Sequence, residues 1–136
     1  VNQLAPAVTA LRLSLHVLAA TIWVGGQLTI AGLVPDLRAL GGDATVRVAR
    51  AFARISWPAF LVLLLTGIWN VAAAHGSTST TAWQAVLGVK VFVAVLAGVA
   101  AAVHQRARSR AGLAAWGAVA GVASVTAVVL GVLLAG

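Results

Sequence analysis

Few side chains in this sequence can bind a metal, hold a charge or move a proton, and their spacing is informative. His16 and Trp23 stand seven residues apart in LHVLAATIWVGGQL (15–28), which ends with Gln27 and Leu28. Asn70 closes LLLTGIWN (63–70), and Lys90 interrupts the apolar run VLGVKVFVAV (86–95). His75 and His104 are the other two histidines. A neutral imidazole ligates haem iron or copper, and a lysine ammonium can pair with a carboxylate. There is no cysteine or methionine, so soft sulfur ligands are absent. The only acids, Asp36 and Asp43, share one connection, so no pair of carboxylates is available for acid–base work. No glycine-rich phosphate loop, nucleophile elbow or zinc-binding spacing is present. Catalysis by this chain is therefore expected to need a cofactor.

On a helix of 3.6 residues per turn, Thr9, Arg12, His16, Trp23 and Gln27 fall on one face. Ala19 and Ala20 lie in the same stripe and are expected to leave space before it. Trp83, Lys90, Ala97 and His104 repeat by sevens on a second face, with Ala94 and Ala101 between them. Thr66, Asn70 and Ala73 align on a third, with Trp69 beside them. Gly117, Gly121, Ser124 and Gly131 form a small-residue face suited to close helix packing. Gly25 and Gly26 also permit a close approach.

The elements that must carry these faces follow from composition. Hydrophobic residues make up 62% of the 136 residues and charged residues 8%, against roughly 25% charged in soluble domains. A soluble domain of this length could not hide so much apolar surface. Spans are expected near 9–34, 55–75, 84–104 and 112–135, because about 20 helical residues cross a bilayer core. The predicted class is an all-α, up-down four-helix bundle forming one transmembrane domain over 1–136. The N-terminal segment does not read as a signal peptide.

Arg38, Arg47, Arg50 and Arg54 lie in the first connection, and Arg106, Arg108 and Arg110 in the third; together they are seven of the nine basic residues. The positive-inside rule places these connections in the cytoplasm and both termini outside. The net charge of +7 thus reflects topology at an anionic leaflet and not nucleic-acid binding. Asp43 is a candidate N-cap for a helix carrying Arg47, Arg50 and Arg54 on one face, and Pro58 is positioned to kink the second span. Localisation is expected in the cell (cytoplasmic) membrane as a multi-pass protein.

With that topology, His16 and Lys90 each sit about 10 Å inside the outer boundary, and Thr66 and Asn70 approach the same level. His75 lies at the outer rim, while His104 lies about 20 Å below Lys90. Ordinary structural roles compete for several of these residues. Trp57, Trp83 and Trp116 suit an interfacial belt. Arg12 and Lys90 can snorkel, His104 suits the interface, His75 a helix end, and Trp23 and Gln27 helix packing. His16 is harder to dismiss, because an imidazole in hydrocarbon must find a partner.

LHVLAATIWVGGQL followed by VP, then LLLTGIWN, then VLGVKVFVAVLAGVAAAVHQRAR resembles the copper-resistance CopD family and is similar to the four-helix HemJ-type protoporphyrinogen oxidases. The resemblance spans nearly the whole chain. It implies a haem b site, with His16, Trp23 and Lys90 at the matching positions, although Asp36 stands where the HemJ pattern has arginine.

Three functions follow as expectations. The first is a b-type haem-binding redox or haem-related protein, with His16 as axial ligand and Lys90, Asn70 and Trp23 nearby. The second is a copper transport or delivery protein using His16 and His75. The third is a non-catalytic subunit of a homo-oligomer or larger membrane complex, its polar seam serving assembly.

Overall fold

The structure, a computed structural model, describes residues 3–74 and 80–136. The described residues are helical apart from short connections and contain no strand. Helix α1 (Ala7–Ala20) runs through a π-helical turn (Thr21–Gly25) into α2 (Gly26–Leu40), followed by α3 (Ala44–Ala74), α4 (Thr81–Arg106) and α5 (Arg110–Ala135). Among the described residues these make four candidate membrane spans, with α1 and α2 forming one rod of 34 residues. The chain is an all-α multi-pass membrane protein.

The helices are longer than the expected spans because bilayer thickness limits the apolar run and not the helix. The rod continues past position 34 to Leu40 with Pro35 inside it, and α3 begins at Ala44, eleven residues before the expected span. The arginine-bearing segment is thus the first part of one long helix. The turn between the rod and α3 is made by Gly41 (φ 70°) and Gly42 (φ 57°), a left-handed backbone that glycine adopts without a Cβ clash. Arg47 N–H then donates to the Asp43 carbonyl, which opens α3 at the expected place. Pro58 lies within α3 and denies the Arg54 carbonyl its usual partner, yet the helix continues through it. In the second hairpin, Ser109 caps α5 by accepting from Gly112 N–H, and Thr80 caps α4 by accepting from Trp83 N–H.

The chain forms two compact units, Val1–Ser77 and Thr78–Gly136. Each is an antiparallel helical hairpin with small residues inside. Ala19, Ser56, Ala59 and Thr66 are buried in the first; Ala97, Ala100, Ala120, Ala123 and Ser124 are buried in the second. Apart from Trp23 and Phe60, which are buried in the first unit, many large side chains point outward, Ile68 and Phe92 being 67% and 68% exposed. That inversion suits lipid as solvent, where helices associate by close backbone packing and not by burying leucine. Ala19, expected to leave space before its polar face, is covered by the neighbouring helix, as is Ala97 in the second unit, and both let the helices come close.

Candidate functional site

His16 projects from α1 one turn before the π segment and meets Thr66 of α3. The His16 Nδ1 to Thr66 Oγ1 distance is 2.8 Å. Thr66 Oγ1 lies 2.7 Å from the Val62 carbonyl and 3.2 Å from that of Leu63. A carbonyl only accepts, so the Thr66 hydroxyl can give its single proton to its own helix. With the proton placed there, the hydroxyl oxygen accepts from His16 Nδ1–H. In a neutral ring this direction puts the lone pair on Nε2, the nitrogen through which that tautomer can ligate a metal. Beside the ring, a Cβ on Gly67 would stand 3.6 Å from His16 Cε1, so this edge is bordered by backbone only.

One turn away from His16, Arg12 Nε and Asn70 Oδ1 are both buried with no hydrogen-bond partner. Arg12 precedes His16 by four residues and Asn70 follows Thr66 by four, so in an antiparallel pair they share a level. Buried polar atoms of this kind need explaining, because each costs about 1–3 kcal/mol when left unmatched.

On the other side of His16, Trp23 is 3% exposed. Its ring lies 4.3 Å from Phe60 and 5.4 Å from Trp57, centre to centre, and Trp57 meets Phe60 edge-on at 5.9 Å. Trp57, expected as an interfacial anchor, is thus part of an aromatic cluster with Trp23. The π turn around Trp23 inserts one residue into the helical register. A single face from Arg12 to Gln27 therefore holds only up to the turn. Gln27 Nε2 donates to the Trp23 carbonyl at 3.0 Å, and the hydroxyls of Thr21 and Thr29 donate to the carbonyls of Val17 and Gly25. These side chains supply donors to the backbone around the irregular turn, as a nonpolar surrounding requires. Gly26 lies directly against the Phe52 ring, whereas Gly25 faces open space.

In the second unit the heptad face of α4 meets the small-residue face of α5. Trp83 Nε1 donates to the Leu134 carbonyl at 3.4 Å, and His104 Nδ1–H donates to the Leu113 carbonyl at 2.8 Å. Lys90 lies over Gly131, where an added Cβ would come 2.9 Å from Nζ. At Gly117 an added Cβ would come 3.1 Å from the His104 ring. Gly121, expected to be a tight contact, has nothing within 4 Å of the same position. His104 therefore ties the two helices together near the Arg106–Arg110 turn.

Of the residues expected at a site, His16, Asn70 and Trp23 belong to the first unit and Lys90 to the second. His75 lies outside the described residues. Sequence reasoning placed Thr66 near the right level but missed its bond to His16, and it set Arg12 aside as a snorkelling residue. Among the described residues, no three histidine or acidic side chains come together in a metal-binding group. A single haem ligand needs only one imidazole, so the residues present fit haem. His16 would hold the group through its imidazole, and the unmatched Arg12 Nε is a donor one turn away.

No family model, curated protein or solved structure matches this chain.

Proposed function

We propose that this protein is an integral membrane b-type haem-binding protein with a redox or haem-related role, of the CopD/HemJ kind, seated in the cell membrane. The observation that carries the reading is the His16–Thr66 hydrogen bond. A ligand histidine uses such a partner, because a hydrogen bond at Nδ1 orients the ring and leaves Nε2 as the nitrogen that can meet a metal. Haem, when bound, supplies one-electron chemistry that no side chain here can supply. His16 binds and orients the group, Thr66 holds the proton on Nδ1, and the Trp23–Trp57–Phe60 cluster keeps the rod and α3 at fixed separation. The arginine-rich turns belong to the cytoplasmic side, leaving both termini outside.

Iron and copper analysis of the detergent-purified protein tests this reading. Wild type from cells supplied with both should carry haem iron, and His16→Ala should lose it. Copper that co-purifies and disappears with His16→Ala supports the copper-delivery reading instead. Neither metal in wild type makes His16 a structural hydrogen-bonding residue.

A further inference from the structure

Arg12 carries a charge into α1, and no side-chain carboxylate of the chain can answer it. Asp36, the nearer acid along the sequence, lies 24 positions further on the same helical rod, about 36 Å at 1.5 Å per residue. Asp43 lies beyond it. Arg12 Nε is nonetheless buried and unmatched, and so is Asn70 Oδ1 at the facing level of α3. Arg12 does not escape fully to an aqueous boundary, since its guanidinium base is enclosed by protein.

The two orphan atoms are a donor and an acceptor. A half-turn of the Asn70 amide exchanges Oδ1 for Nδ2, which makes both groups donors toward the same space. An oxyanion placed there accepts from both and neutralises the guanidinium, resolving both orphans at once. We propose that Arg12 and Asn70 form an oxyanion site that holds a carboxylate of the ligand bound at His16. For haem that carboxylate is a propionate. Arg12 and His16 are four residues apart, about 6 Å along one helix, so one ligand can engage both. The inference rests on His16 taking haem; it adds which residues grip the cofactor's acidic edge. A lipid phosphate has the same oxyanion chemistry and is the other source the test must separate.

The test compares haem b with its dimethyl ester, in which both carboxylates are blocked. Both are titrated into detergent-purified wild type, Arg12→Gln, Asn70→Asp and His16→Ala, with binding followed by visible absorption. Wild type should bind haem b about tenfold or more tighter than the ester, the scale of a charge-assisted contact. Arg12→Gln should lose that preference by weakening haem b alone. Asn70→Asp, nearly isosteric, should also weaken haem b more than the ester, because its carboxylate occupies Arg12 and repels the ligand's. His16→Ala should lose both ligands. Equal weakening of both ligands by Arg12→Gln, or no weakening, overturns the proposal while leaving haem binding at His16 intact. Failure of wild type to bind either ligand removes the His16 reading and this one with it. Native mass spectrometry of the haem-free protein with phosphatidylglycerol separates the lipid source. Loss of bound lipid in Arg12→Gln, with haem b and ester still bound alike by wild type, assigns the site to a headgroup and overturns the carboxylate assignment.

Discussion

His16 and Thr66 are joined across α1 and α3 by a 2.8 Å hydrogen bond. With the Thr66 proton on the Val62 carbonyl, imidazole Nδ1–H is the donor. Thr66→Val should leave that N–H buried and unmatched, at a cost of about 1–3 kcal/mol. Haem affinity should fall about tenfold or more, as for other groups that orient metal ligands. Thr66→Ser should restore both stability and affinity. Equal behaviour of the valine and serine variants in thermal unfolding and haem titration would remove the orienting role.

The two glycines Gly117 and Gly121 should behave differently although they share a helical stripe. A methyl at Gly117 meets the His104 ring, and one at Gly121 meets nothing. Gly117→Ala should destabilise by about 1–3 kcal/mol, the usual range for overpacking. Gly121→Ala should be neutral or slightly stabilising through helix propensity. Unfolding of both variants in detergent, followed by helical circular dichroism, checks the order.

His104 should prove structural. Its Nδ1–H reaches the Leu113 carbonyl at the start of α5, so His104→Ala should lower stability by about 1 kcal/mol without changing a haem spectrum. A loss of haem in His104→Ala at unchanged stability would move the site into the second unit.

Much of the second unit is legible in the sequence because its helices are regular. Trp83, Lys90, Ala97 and His104 keep the helical phase, so their common face could be read, as could the small-residue face of α5, but not that the two meet. What the sequence did not disclose is how close each glycine comes, which depends on the partner side chain above it. In the first unit the π turn at Thr21–Gly25 breaks the phase, and nothing in TIWVG announces it by local propensity. The aromatic cluster of Trp23, Trp57 and Phe60 went unseen for that reason. Arg12 and Asn70 were visible as polar residues, but their lack of partners is a three-dimensional property.

Topology has its own test, since the native chain has no cysteine. Cysteines at Ser77 and Arg108 should respond oppositely to an impermeant thiol reagent on intact cells. Position 77 should label and position 108 should not, as the positive-inside rule predicts from seven arginines in the two arginine-rich segments. Labelling of 108 alone would invert the orientation.

The most direct measurement of the central claim is a visible absorption spectrum of the purified protein, taken oxidised and reduced. A haem b Soret band that sharpens and shifts on reduction, vanishes in His16→Ala and weakens in Thr66→Val is the predicted result. A wild-type protein produced with ample haem that shows no Soret band, or a band unchanged in His16→Ala, would contradict the account.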